Sequence, residues 1–319
     1  MLLAALRKLF LTFITLVILS IISYNILLRD PLNNLFESDF STYIDYVTNL
    51  LQGDWGISQT TGEPLVKQIL DVFPATISLC IAVLILSLIV GVPLGFLSAT
   101  LYKNPVGKIL STVASLSLAL PVFWFAILML SYASLNQWEI SAIGEIHPIY
   151  YVEAITGVTF IDILLAESPY KLKMMQSALQ HLALPTIVLA VPATLEMIRI
   201  IEQRTLYILQ QNYIKIAQAR GWSSFKIWKN HILRNTLLPL LPTIIRNITL
   251  TFAFAMLIEN VISWGGIGRW MINALMIQDY HAISVGVITI GIFVLLVDLL
   301  ASIVATLLDP SQKKDWYVK

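Results

Sequence analysis

The residues of this sequence that could do chemistry are few and widely spaced. There are four histidines and a single cysteine, Cys80, which lies within an apolar run. The chain therefore offers no internal disulfide and no cluster of Cys and His with metal-ligand spacing. It also contains no P-loop, no HExxH and no GxSxG sequence, which are typical of nucleotide, zinc and serine hydrolases. These patterns predict a non-enzymatic protein that binds no metal or cofactor itself.

One polar segment has a pattern that indicates docking rather than catalysis. The basic stretch 202–236 divides at Gly221 into two short helical patterns, each with apolar residues at helical spacing and basic residues between them. Ser223 or Ser224 can cap the second helix, because a serine hydroxyl accepts hydrogen bonds from the free amides at a helix start. Short amphipathic helices of this kind suit a groove on a partner or the membrane surface.

The composition places these segments in a membrane protein. Apolar residues make up 57% of the chain and charged residues only 12%, against about 25% charged residues in a soluble domain. A helix needs about 20 apolar residues to cross the bilayer, and six runs of that kind occur. The six predicted spans are Leu9–Leu28, Ala75–Leu101, Ile109–Ser134, Leu182–Ile201, Leu237–Leu257 and Ile283–Leu308.

The charges alternate from one connection to the next. Most of the 20 basic residues fall at 1–8, 102–108, 202–236 and 309–319, whereas most of the 19 acidic residues fall in the other connections. Because basic connections stay on the cytoplasmic side, the alternation predicts that both termini are cytoplasmic. It differs from the even basic field of a nucleic-acid binder, so no nucleic-acid partner is expected.

Arg246 and Asp298 are charged residues near the middle of predicted spans. Intramembrane charges usually face the interior of a helix bundle or a wet cavity, which favours a role in a substrate pathway or in helix pairing. Snorkelling of Arg246 and a local hydrogen bond of Asp298 are the alternatives, and the two residues can also pair with each other.

The basic loop resembles the EAA loop of ABC-importer permeases. The resemblance rests on Ala217-x-Ala219-x-Gly221, followed by His231-Ile232-Leu233-Arg234-Asn235 and Pro239, in the form typical of the dipeptide, oligopeptide and nickel branch. The glutamate that gives this loop its name is absent, and Lys215 stands about where it would fall.

Further blocks in the same order are also similar to this family, and with the loop they cover most of residues 70–310. They are Pro74-Ala75-Thr76 with Gly91-Val92-Pro93-Leu94-Gly95, Pro121-Val122-Phe123-Trp124, Glu259 to Arg269, and Leu299 to Pro310. Within the branch, Ile155 to Asp162, Gln278 to Ser284 and Lys314 to Tyr317 resemble permeases of the Sap peptide transport systems.

The resemblance implies an all-α, multi-pass protein of the bacterial inner membrane with the type I ABC importer permease fold. The implied divisions are an N-terminal helix and first periplasmic segment at 1–72, a permease domain at 73–310 with a periplasmic segment at 135–180, the loop at 202–236 and an outer-face segment at 258–282, and a cytoplasmic tail at 311–319.

In the family, the EAA loop forms a coupling helix in a cleft of a cytoplasmic ATPase. The residues predicted for this role are Ala217, Ala219, Arg220, Gly221, Phe225, Lys226, Trp228 and Lys229, with Phe225, Ile227 and Trp228 as apolar contacts. The alternative is that some of them pack the loop against its own spans.

The resemblance makes the 258–282 segment an outer-face or re-entrant gate element. The residues predicted for it are Glu259, Trp264, Gly266, Gly268 and Arg269. The alternative is an ordinary surface turn in which Trp264 and Trp270 anchor at the membrane interface. The residues that line the substrate pathway stay unassigned.

The partners implied are a second homologous permease (the C-type of Sap systems), two cytoplasmic ATPases (the D- and F-types) that use ATP and Mg²⁺, and a periplasmic substrate-binding protein (the A-type). The implied cargo is peptides, including cationic antimicrobial peptides; putrescine export and haem uptake are alternatives. A secondary transporter driven by an ion gradient is a more distant one, for which Asp298 would be the acid near the middle of a span. A non-transporting membrane scaffold is the last alternative.

Overall fold

The computed structural model describes residues 2–31, 40–116, 121–136, 138 and 144–308, with side chains from residue 6 onward. This part of the chain is almost entirely helical and contains no strand beyond one isolated bridge between Ile57 and Pro64. The helices are α1 Leu2–Leu27, α2 Phe40–Gln52, α3 Leu65–Thr100, α4 Pro105–Ser115, α5 Val122–Leu135, α6 Thr159–Leu165, α7 Lys171–Leu209, α8 Asn212–Ala219, α9 Ser224–Ile227, α10 Arg234–Val261, α11 Ile267–Met276 and α12 Tyr280–Leu308. A π-helical turn, Trp228–Leu233, joins α9 to α10 without a break.

Five of the described helical stretches are long and apolar enough to cross a membrane. They are Leu6–Leu27, Leu65–Thr100, Lys171–Leu209, Ser224–Val261 and Tyr280–Leu308. Each covers one of the predicted spans apart from a residue or so at the ends, which confirms a multi-pass, all-helical chain. The remaining predicted span, 109–134, falls on the shorter helices α4 and α5, and residues 117–120 between them lie outside the described residues.

The helices extend well beyond their apolar centres. Helix α3 begins at Leu65, ten residues before the predicted start at Ala75, and Leu65 and Ile69 in this extension are buried. Helix α7 continues through Pro185 and Pro192, since neighbouring groups can re-satisfy the carbonyls that a proline frees in a membrane helix. Hydropathy marks the lipid-crossing part of a helix and not its protein-packed ends, so the sequence underestimates these lengths.

The chain forms two compact units, of which the first contains residues 1–78, 139–182 and 255–296. Helix α1 is fastened within it by hydroxyl groups. Ser23 Oγ lies 2.6 Å from Ser284 Oγ on α12 and 2.7 Å from the Tyr46 hydroxyl on α2. A buried hydroxyl is favourable only when it is paired, so these contacts fix the register of α1 and α2 against α12.

The second unit contains residues 79–138, 183–254 and 297–319, described as far as Leu308. Its core is a continuous apolar cluster of Phe96, Met197, Ile201, Ile208, Ile214, Ala217, Ile227, Ile232 and Ile244. At the contact of α3 with α7, a Cβ added to Gly91 would lie 2.7 Å from Met197 Cβ, and one added to Gly95 would lie 2.8 Å from Ile201 Cβ. Glycines four residues apart therefore let the two backbones approach closely, as small residues do in membrane helix pairs.

Candidate functional site: the helical loop and the glycine-rich segment

The helical loop, residues 212–233, lies in the second unit and is built around Gly221. Helix α8 ends at Ala219 with Arg220 as its C-cap, and Gly221 has a φ of +73°, a left-handed conformation that glycine adopts without strain. The amide of Trp222 donates to the Ala217 carbonyl, which closes the helix end. Ser223 Oγ then accepts a hydrogen bond from the Lys226 amide and caps α9. The break at Gly221 and the serine cap predicted from the sequence are confirmed.

Aromatic and basic side chains make the loop rigid. Trp222 stacks on His231 with ring centroids 5.5 Å apart, and Lys226 Nζ lies 4.3 Å from the Trp222 ring centroid. Trp228 packs edge-on against Phe96 of α3 at 5.8 Å. A loop held by these contacts has a fixed outward surface, so ordering it on binding would cost little.

The predicted partner contacts divide into exposed and packed residues. Phe225 is 71% exposed, whereas Ile227 is only 5% exposed and belongs to the apolar core of the unit. Trp228 is partly buried against that core. The alternative of packing against the chain's own helices therefore describes Ile227 and Trp228, and Phe225 is the predicted apolar residue that the loop presents outward.

The other residues predicted for the loop are exposed, with one exception. Ala219, Arg220, Gly221, Lys226 and Lys229 are exposed, whereas Ala217 is buried. Two exposed apolar residues of α8, Tyr213 and Ile216, have no predicted role. Their helical spacing was visible in the sequence, but periodicity alone does not say which face of a short helix is covered.

The second candidate site, the glycine-rich segment 259–276, lies in the first unit and is centred on Glu259. This carboxylate is fully buried. Its Oε1 accepts a hydrogen bond from Thr76 Oγ1 at 2.6 Å, and its Oε2 accepts one from the Gly268 amide at 2.7 Å. Thr76 Oγ1 in turn accepts the Ile267 amide at 2.9 Å. The two side chains thus satisfy the free amides that begin α11, where a negative charge is also favoured by the helix dipole.

The turn before α11 is held by three further residues of the predicted set. A Cβ at Gly266 would overlap the Glu259 carboxylate and Thr76 Oγ1, so only glycine fits there. Trp264 is buried and its Nε1 donates to the Ala75 carbonyl at 3.2 Å, and Arg269 Nη1 donates to the Ser263 carbonyl at 2.7 Å. Trp264 is therefore a core residue of this unit and not an interfacial anchor.

All five residues predicted for this segment meet in one hydrogen-bonded and packed arrangement. Thr76 completes this arrangement, and the sequence presents it only as part of the motif Pro74-Ala75-Thr76. In the sequence this residue is a single threonine at the start of an apolar run. That pattern does not indicate a hydrogen-bond partner 183 positions away. Within the described residues, no group of three or more His, Cys, Asp or Glu is arranged to hold a metal ion.

Glu145 lies beside this segment, since the amide of Gly144 donates to the Ser263 carbonyl. Burial raises the pKa of Glu145 above its ordinary value of 4.5, the nearby charge of Asp162 raises it further, and a hydrogen bond from Thr159 lowers it in part. A carboxyl group whose pKa is raised by folding favours the folded state most at low pH. That contribution is lost as the pH rises through the folded-state pKa.

We expect Glu145→Gln to flatten the pH dependence of stability and to leave the protein at least as stable as wild type at neutral pH. The glutamine side chain keeps an oxygen for Thr159 and removes the cost of a buried charge. The measurement is the thermal unfolding midpoint of the detergent-solubilised chain as the pH is raised from 4.5. Glu153→Gln, at an exposed carboxylate, is the control. Identical pH profiles for wild type and Glu145→Gln would contradict the expectation.

Taken together, several membrane-length helices and a helix–glycine–helix loop between two of them define a polytopic membrane protein. The chain belongs to the family described as the binding-protein-dependent transport system inner membrane component, whose pattern it matches over residues 91–314. It is thus a non-catalytic permease subunit of the ABC type in the inner membrane.

Individual relatives match over all or most of the chain. The peptide transport system permease protein SapB of Haemophilus influenzae is 44% identical over 321 residues, 100% of both chains. The putrescine export system permease protein SapB of Escherichia coli K12 is 35% identical over 318 residues, 99% of both. The dipeptide transport system permease protein DppB of the same organism is 27% identical over 272 residues, 84% of this chain and 79% of its own.

Proposed function

We propose that this chain and a second, homologous permease form one pathway for peptides through the inner membrane. The observation that carries the proposal is the 44% identity to a peptide transport permease along the entire length of both chains. A dipeptide permease matches most of the chain as well. In this pathway the chain supplies spans and a docking surface, and it takes no part in covalent chemistry.

The proposed topology has six spans and both termini in the cytoplasm. The sixth crossing is assigned to the predicted span 109–134 and not to α5 alone, because α5, with 14 residues, covers only about 21 Å of a hydrocarbon core about 30 Å thick. The orientation rests on the basic connections, one of which is the helical loop. The segments at 1–72, 73–310 and 311–319 keep their proposed division.

The energy comes from two separate cytoplasmic ATPases, which bind ATP and Mg²⁺, and the helical loop docks on one of them. Phe225 at 71% exposure is the proposed apolar anchor, with Arg220, Lys226 and Lys229 around it. A large apolar side chain within a polar rim is the usual form of an interaction hot spot. In a Sap-type system the partners would be the C-type permease, the D- and F-type ATPases and an A-type periplasmic binding protein.

The test is co-purification from detergent-solubilised membranes, comparing wild type with Phe225→Glu. We expect wild type to recover an ATPase with a P-loop and a second permease, and the variant to lose the ATPase alone. Loss of a hot spot weakens binding by about 2 kcal/mol or more, or at least about 30-fold. Because Phe225 is exposed, the variant should still fold.

Leu51→Glu is the matched control, since Leu51 is 83% exposed on α2 of the other unit. It introduces the same charge and should leave both partners bound. Retention of the ATPase by Phe225→Glu would show that Phe225 is not part of the interface with the ATPase. Failure of the wild-type chain to recover any ATPase would contradict the ABC assembly and favour a transporter driven by an ion gradient.

Polyamine export is a second candidate, because a relative named as a putrescine export permease is 35% identical over 99% of both chains. Vesicles that contain the complete complex separate the two candidates. ATP-dependent movement of a labelled cationic peptide supports the first, and movement of labelled putrescine supports the second.

A further inference from the structure

Arg246 and Asp298 form an ion pair in the second unit. Arg246 Nε on α10 lies 3.2 Å from Asp298 Oδ1 on α12, and the side chains are 57% and 47% exposed. The mutual pairing considered from the sequence is therefore present, yet it lies at the surface of the chain. An intramembrane ion pair that only joined two helices of this chain would be expected to face the interior of its own helix bundle.

Both charges lie deep within helices that cross the membrane. At 1.5 Å per residue, Arg246 is about 18 Å along the axis from Arg234 and about 22 Å from Val261. Asp298 is about 15 Å from the end of α12 at Leu308. The partner of Arg246 is a neighbouring helix and not a headgroup, so snorkelling does not explain this arginine.

The exposed positions of α10 around Arg246 follow a single stripe. In the second unit they are Arg234 and Leu238 near the start of the helix, and then Pro239, Thr243, Arg246, Leu250 and Ala253 at intervals of three or four residues. Ile244, on the opposite side of the same helix, is buried. The ion pair and a threonine thus occupy the middle of one uncovered helix face, whereas the exposed positions of α1 from Leu9 to Ile22 carry no charge.

Lipid cannot solvate a charged pair at this depth, and intramembrane charges face either protein or a water-filled cavity. We propose that this stripe lines the water-filled pathway between the two permeases and that Arg246 and Asp298 are the charged groups that cargo meets there. The proposal rests on the proposed function, since the second permease forms the other wall. It assigns pathway residues that sequence periodicity left open.

The experiment measures whether water reaches the stripe in the complete transporter reconstituted in liposomes. Cysteine is placed at Thr243 and at Leu250, one turn on either side of Arg246, in a chain carrying Cys80→Ser so that no other thiol is present in it. The ion pair itself stays intact, so the variants are expected to fold. The probe is a charged methanethiosulfonate that cannot cross the bilayer, applied to both faces.

A thiol reacts as the thiolate, which forms readily in water and is disfavoured in apolar surroundings. We therefore expect both positions to react at least about tenfold faster than Ile244→Cys, the buried control on the same helix. We also expect the rates to change when the ATPases are trapped with nucleotide, as alternating access requires. A second, lipid-soluble thiol reagent distinguishes the other outcomes. Reaction with that reagent alone would place the stripe in lipid, and reaction with neither it nor the charged reagent would place the stripe in a dry protein interface. Either result overturns the proposal.

The two proposals fail independently. Labelling reports water at the stripe, whereas recovery of the ATPase with the wild-type chain reports the assembly. If no ATPase is recovered, the chain and the second permease can be labelled without it, and a reactive stripe would then keep the pathway and reject the ABC partner. An unlabelled stripe in a complete complex would reject the pathway assignment alone.

Discussion

Replacing Gly268 with alanine is expected to disrupt the glycine-rich segment and to lower the free energy of unfolding by about 3 kcal/mol. A Cβ at this position would overlap the backbone of Met256 on α10 at its Cα, carbonyl carbon and carbonyl oxygen. A side chain can rotate away from such an overlap, but backbone in the middle of a helix cannot. Helices α10 and α11 would have to separate, and the hydrogen bond from the Gly268 amide to Glu259 would be strained.

Gly265→Ala is the matched control, because no atom lies within 4 Å of a Cβ added there. Tryptophan fluorescence can follow thermal unfolding of both variants in detergent. We expect Gly268→Ala to lower the midpoint by several degrees and Gly265→Ala to leave it unchanged. Equal effects of the two substitutions would show that the close approach of α11 to α10 is not what stabilises this segment.

The same comparison tests the proposed gate. If the segment controls the outer end of the pathway, Gly268→Ala should reduce transport by the reconstituted complex while the ATPases still co-purify. Transport at the wild-type rate in a Gly268→Ala complex that unfolds at a lower temperature would restrict the segment to a structural role.

Gly95→Leu is expected to have an effect of similar size in the second unit. A Cβ at Gly95 would already lie 2.8 Å from Ile201 Cβ and 3.1 Å from the Ile198 carbonyl oxygen. The three further carbons of leucine have no space at this contact, so α3 and α7 must move apart. Overpacking of this kind costs about 1–3 kcal/mol and more where backbones are in contact. The apolar cluster that supports the helical loop includes Phe96 and Ile201, so we expect weaker ATPase binding as well.

Val90→Leu is the control, since Val90 lies on the same helix, is 38% exposed and gains only one methylene. Size-exclusion profiles of the solubilised chain at increasing temperature distinguish the two variants. An unaltered profile for Gly95→Leu would mean that α3 and α7 do not meet through this glycine.

The sequence by itself determined that the chain is an all-helical membrane permease. Runs of apolar residues are long enough to place the membrane helices, because a bilayer leaves a helix few alternatives. The break at Gly221 and the cap at Ser223 were also predictable, since both depend on backbone conformation and hydrogen bonds within a few residues. The helix ends were not predictable. The extension of α3 that begins at Leu65 is held by residues distant in sequence.

Only the tertiary structure decided what each residue of the candidate sites contacts. Adjacent glycines at 265 and 266 look alike in the sequence, yet one faces open space and the other a buried carboxylate. Phe225 and Ile227 are both apolar residues of a short helix, and only the packing of α3 and α7 beneath it buries one and leaves the other exposed. Arg246 and Asp298 are 52 positions apart and meet because two helices cross. Local patterns fix which segments form helices, whereas partners, burial and charge pairing depend on which helices lie side by side.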